Sequence, residues 1–217
     1  MRRPRPSPAP WTAAERRVLD RLDSPVAIQA FLDGIPYSDD PIYRCPRRVL
    51  ADRRAHCFDG ALLAAAALRR LGHPPLLVDL KAVRDDDHII VLFRGAGGGL
   101  GAIAQSNFAG LRYREPIHRS LRELVLSYFE PYFNVEGLKT LRAYSAPLDL
   151  GAFDGLEWLV RSEAMEAIAA RLESIRHYPL LTRAQERGLR DVDERTFRTS
   201  MIGVVDAGLY RPGKERA

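Results

Sequence analysis

Apolar positions recur with a helical period over residues 57–71, where Ala61, Ala64, Ala65 and Leu68 fall on one stripe and Gly72 is the expected C-terminal stop. Alanine side chains are small enough to let such a helix lie close against a neighbouring sheet. The pattern then changes to short apolar runs. Residues 75–80, 88–93 and 100–104 predict strands, joined by a polar, acidic turn at 81–87 and a glycine-rich turn at 95–99 that suits a hairpin. The order is a helix followed by strands, the last two expected to be antiparallel.

Upstream, Thr12-Ala13-Ala14-Glu15 reads as a capping box opening a short helix with Val18, Leu19 and Leu22 on its apolar side. Ser24-Pro25 starts a second helix carrying Val26, Ile28, Phe31 and Leu32, and Gly34 closes it. Residues 35–47 read as an irregular loop, and a short segment, 46–51, leads up to Cys57. Downstream, the spacing predicts a helix over 116–132, an extended or strand segment at 141–145 and a helix over 153–175. Thr182-Arg183-Ala184-Gln185 is a second capping box, opening a polar C-terminal helix. The reading is an α+β fold, a helix packed on an antiparallel sheet with additional C-terminal helices. Its expected parts are a disordered basic, proline-rich tail at 1–10, a domain at 11–150, and a helical extension at 151–217 packed on that domain. The last residues, 211–217, are expected to fray.

Composition narrows the class. With 217 residues, 46% hydrophobic and 28% charged, the chain fits one soluble domain with a real core. The net charge of +5 comes from arginines interleaved with acids, which is no nucleic-acid footprint. Two cysteines, Cys45 and Cys57, make no disulfide scaffold; free thiols in a reducing cytosol are the default, and the expected location is cytoplasmic. No apolar run reaches bilayer-crossing length.

Two residues carry candidate chemistry. Cys57 precedes the first turn of the alanine-rich helix, where unpaired N–H groups and the helix dipole favour a thiolate, and Arg53 and Arg54 add positive charge nearby. Its own N–H is a candidate oxyanion donor. His88 opens a strand after Asp85-Asp86-Asp87, which would raise its basicity on close approach. A thiol and an imidazole so placed are the halves of a cysteine nucleophile and its base. The bland alternatives are a small buried hydrophobe and a structural histidine. A third group should hold the ring. Asn107 is the choice, with Ser106 as rival and Gln105 weaker; Asp87, Ser106 and Gln105 are the candidate substrate-binding residues. Metal and cofactor are not expected: His56 beside Cys57 lacks a second pair at ligand spacing, acidic runs in turns are normally solvated, and the glycine turn lacks a phosphate loop's lysine. The arginines around Arg112-Tyr113-Arg114 read as ion-paired surface, or as an anion-recognition edge.

This order resembles the transglutaminase-like arrangement within the papain-like superfamily. The residues carrying the resemblance are His56-Cys57-Phe58-Asp59-Gly60-Ala61-Leu62, Asp87-His88-Ile89-Ile90 and Gly99-Leu100-Gly101-Ala102-Ile103. Ser106-Asn107-Phe108 and Leu111-Arg112-Tyr113-Arg114-Glu115-Pro116 are similar to small bacterial members of unassigned function. The resemblance covers roughly residues 45–145. It implies acyl transfer through a thioester on a peptide or amide, by hydrolysis or by transfer to an amine. Cys57 matches the nucleophile and His88 the base. The family's usual aspartate is missing from the strand after the glycine turn, and its tryptophan is replaced by Leu100. The alternative is a catalytically degenerate module of the same fold that binds a peptide or protein partner.

Overall fold

The computed structural model describes residues 11–210. The expectations of a disordered tail at 1–10 and a frayed end at 211–217 lie outside the described residues. The chain opens with α1 (Ala13–Leu19), whose Thr12–Glu15 capping box forms, and α2 (Pro25–Asp33), capped by Ser24 and led by Pro25. The segment before Cys57 is a helix, α3 (Pro46–Asp52), with proline at its first position. It ends at Arg53, whose φ of 55° lies in the left-handed region. Next comes α4 (Cys57–Arg70), in which every residue from Phe58 to Leu68 is buried. A helix buried all round needs small residues. The alanines let it pack against the sheet on one side and against α2 and α3 on the other.

The three predicted strands form as β1 (Leu76–Ala82), β2 (His88–Arg94) and β3 (Leu100–Ile103). The glycine turn joins β2 and β3, with Gly98 at φ 80°. Further on lie β4 (Arg114–His118), α5 (Leu121–Leu126), β5 (Leu141–Ser145), β6 (Leu148–Asp149), α6 (Ala164–Ser174), β7 (His177–Pro179), α7 (Arg183–Arg187) and α8 (Glu194–Ser200). The strands make a 7-stranded sheet of order β4-β3-β2-β1-β5-β7, with β6 also on β1, and every pairing is antiparallel. The architecture is α+β. One apolar core lies between the helices and the sheet face carrying Leu77, Ile89, Val91 and Phe93. A second fills the opposite face, where Val78, Leu80, Ile90 and Leu92 meet Leu124, Val125, Tyr128 and Tyr132.

Three expectations need correction. The helix over 116–132 is instead the end of β4 followed by the shorter α5. Pro116 sits in β4, an edge strand that donates fewer ladder hydrogen bonds and so tolerates proline. The helix over 153–175 is broken: a 3-10 turn at Leu150–Leu156 ends on Glu157 at φ 52°, and α6 starts only at Ala164. The C-terminal extension is not purely helical, because β7 pairs with β5 in the main sheet. Its Trp158, Met165, Ile168 and Leu172 share the core that α4 occupies. No helix among the described residues is long and apolar enough to cross a membrane.

Candidate functional site

The start of α4 is built around its cap. His56 precedes Cys57, and its Nδ1 accepts the N–H of Phe58 at 3.2 Å, so the ring is a helix cap with its proton on Nε2. Asp59, fully buried, accepts the N–H of Arg44 at 2.7 Å, and the Arg44 guanidinium also reaches Asp40 and Asp52. This hub ties the loop before α3 to the first turn of α4. Burial pushes the Asp59 carboxyl up to about 7, against the pull of Arg44.

The Cys57 thiol donates to the main-chain carbonyl of Asp87 across 3.8 Å, and the N–H of Ile89 approaches the sulfur. The sulfur is therefore held by the backbone on either side of His88. Cys57 keeps some exposure at the cavity surface, whereas Cys45 is buried. Burial nonetheless pushes the Cys57 thiol up to about 12, with the Asp86 and Asp59 charges adding to the rise and the neighbouring N–H groups opposing it. This corrects the expectation of a thiolate favoured by the helix dipole and nearby arginines. Arg53 lies over the Phe31 ring at 4.6 Å, and Arg54 pairs with Asp39 and Asp40.

Strand alternation puts His88 on the opposite face of the sheet from α4, beside Tyr128 and Tyr132 at ring separations of 6.3 and 6.4 Å. Its Nε2 lies 2.8 Å from the carbonyl of Leu111, which fixes the proton on Nε2 and leaves Nδ1 as the acceptor. Burial pushes the ring down to about 4; the Leu111 carbonyl opposes this and Arg114 adds to it, so the imidazole is neutral. The aspartates expected to raise its basicity do not do so. Asp87 turns its carboxylate to the Ala82 N–H, 2.9 Å away, and to Lys81.

Two cavities flank the sulfur, and Cys57, Tyr37, Asp86 and Asp87 line both. The larger, of about 440 Å³, opens on the α4 face against Tyr43, Phe58, Asp79, Lys81 and Glu173. The smaller, of about 40 Å³, also takes in His88, Ser106, Asn107 and Tyr132, with Gly208 and Tyr210 in its wall.

The other predicted residues are placed differently from expectation. Asn107 does not meet the ring: its Nδ2 donates to the Val205 carbonyl at 2.9 Å, and its Oδ1 accepts the Val205 N–H at 2.8 Å. Ser106 lines the small cavity, but its hydroxyl accepts the Phe108 N–H. Gln105 lies against Gly60 of α4 and donates to the Ile35 carbonyl at 3.4 Å, outside both cavities. The ring is held instead by the carbonyl of Leu111, a group with no side-chain signature. Sequence reasoning also missed the polar cluster of buried Asp79 with the partly exposed Lys81 and His177. Its only sequence signal is the charge pair Asp79 and Lys81 interrupting an apolar strand. Among the described residues there is no group of His, Cys, Asp and Glu side chains arranged to hold a metal ion. No protein-family model matches the chain, and no curated protein matches it.

Proposed function

We propose that this protein is a cysteine-dependent acyl-transfer catalyst with a transglutaminase-like core, acting on a peptide or amide through a thioester. The observation that carries the reading is that Cys57 and His88 line one cavity, with the ring's Nε2 tied to the Leu111 carbonyl and Nδ1 left as its basic nitrogen. A thiol-bearing helix start packed on an antiparallel sheet whose second strand opens with histidine supports the core assignment. In this mechanism the resting pair is neutral. As Sγ attacks the substrate carbonyl, the thiol proton passes to Nδ1, and the Leu111 carbonyl stabilises the imidazolium through Nε2–H. The N–H of Cys57, at the first helical residue, has no intrahelical acceptor and is the candidate donor to the developing oxyanion. The imidazolium then protonates the leaving amine, and water or a second amine cleaves the thioester.

The test is acylation by an activated ester such as p-nitrophenyl acetate, followed by peptide mass spectrometry. One acyl group on Cys57, formed ~10²–10⁴-fold more slowly in His88→Ala, is the expected result. Acylation indifferent to His88 would overturn the mechanism. A second reading, a non-catalytic module binding a peptide or protein partner, is favoured by the raised thiol pKa. It predicts no acyl adduct.

A further inference from the structure

The larger cavity carries a charge that the acyl-transfer reading does not use. Its wall holds Asp40, Asp79, Asp86, Asp87 and Glu173 against a single lysine, Lys81. Asp40 is met by Arg44 and Arg54, but the one ammonium of Lys81 serves both Asp79 and Asp87. An acidic wall alone is an ordinary solvated surface. Asp79 makes this one different. The residue is 2% exposed, its Oδ2 faces His177 and Lys81, and its Oδ1 meets no donor among the described residues. A buried carboxylate oxygen without a donor is unfavourable, and a ligand that supplies one removes the penalty.

The register ties this orphan oxygen to the thiol. Asp79 pairs with Ile89 across the sheet, on the face that carries α4, and the Ile89 N–H is the group approaching the Cys57 sulfur. The rings of Tyr43 and Phe58, edge to face at 4.9 Å, stand in the same wall and add surfaces that attract cations.

We infer that the larger cavity receives a positively charged group of the ligand, an ammonium or guanidinium, whose N–H donors meet Asp79 beside the Cys57 sulfur. This names the charge of the substrate for the proposed reaction and rests on that reading only for the chemistry that follows binding.

Charge-matched thiol reagents test it on the full chain. Cys57 is labelled with aminoethyl, methyl and sulfonatoethyl methanethiosulfonates, each rate being divided by that for free cysteine, with Cys57 and Cys45 scored separately by peptide mass. The normalised rate at Cys57 is expected to be at least tenfold higher for the ammonium reagent than for the sulfonate. That ratio should fall several-fold in Asp79→Asn and in Glu173→Gln, the second being an exposed helix position that leaves the core intact. Agmatine should slow labelling by the neutral reagent. A ratio near one in the native protein, or a ratio unchanged in a folded Glu173→Gln and in Asp79→Asn, overturns the inference. Acylation indifferent to His88 with the charge ratio intact would sink the catalytic reading and leave this one standing.

Discussion

Cys57 and Asp87 are joined by a hydrogen bond from the thiol to the main-chain carbonyl, 3.8 Å long, so the sulfur is held by the residue before His88 and not by the imidazole. With the Ile89 N–H on the other side, the β2 backbone at 87 and 89 holds the sulfur while the side chain between them turns to the opposite face. The Cys57 sulfur, carried by α4, and the His88 ring, carried by β2, therefore meet at the same short piece of strand. Their relative position is set by how α4 packs on β2.

Asn107→Ala separates a clamp from an orienting group. The amide makes two hydrogen bonds to Val205, and their loss is expected to destabilise the fold by roughly 1–3 kcal/mol in denaturant titration. Gly208 and Tyr210, in the segment that Val205 anchors, wall the small cavity. Loosening that segment exposes the thiol, so iodoacetamide should label Cys57 faster in the variant than in the native protein. Slower labelling would mean that the amide supports the imidazole after all.

His88 links stability to acid. Burial lowers its pKa from 6.5 to about 4, so between those values the unfolded chain binds a proton that the folded chain refuses. Stability from this group is complete above pH 6.5, is lost as pH falls toward 4, and changes no further below. The full loss is on the order of 3 kcal/mol. Asp59, raised from 3.8 to about 7, and Asp85, raised to about 6, act in the opposite sense and lose stability as pH rises through that window. The clean measurement is thus a difference. The stability advantage of the native protein over His88→Gln, measured by urea unfolding from pH 7 to 4, should shrink on acidification. A constant difference across that range would mean the folded imidazole titrates normally.

Much of this was legible in the chain, and what was not has a physical cause. Helix α4 and the strands β1 to β3 announce themselves through an alanine-rich period and through apolar runs bounded by glycine and acids. Both capping boxes form as read. Strand β7 is three residues long and too short to carry a period; only its pairing with β5 makes it a strand. At the site, Cys57 and His88 stand out because both open an element. Their holders are the carbonyls of Asp87 and Leu111, and a main-chain carbonyl looks the same at every position. The Asn107 reading failed for a related reason. An amide with a free choice of partners went to a backbone segment 98 residues away, which local sequence cannot reveal.

Gly60 gives the sharpest test of how tightly α4 is set against the sheet. In an ordinary helix interior, glycine to alanine stabilises by ~0.5–1 kcal/mol, because alanine loses less backbone freedom on folding. Here an added Cβ would lie 2.3 Å from Cβ of Gln105, a residue 2% exposed whose amide donates to the Ile35 carbonyl. The obstructing atom is adjacent to the backbone and has nowhere to go, so either α4 or the end of β3 must shift. Overpacking of this kind costs about 1–3 kcal/mol or more, which outweighs the helix gain and reverses its sign. Gly60→Ala is expected to lower the melting temperature, and because Gly60 follows Cys57 by less than one helical turn, the rate of Cys57 alkylation should change with it. A variant as stable as the native protein, or more so, would mean that α4 and Gln105 do not approach as closely as described.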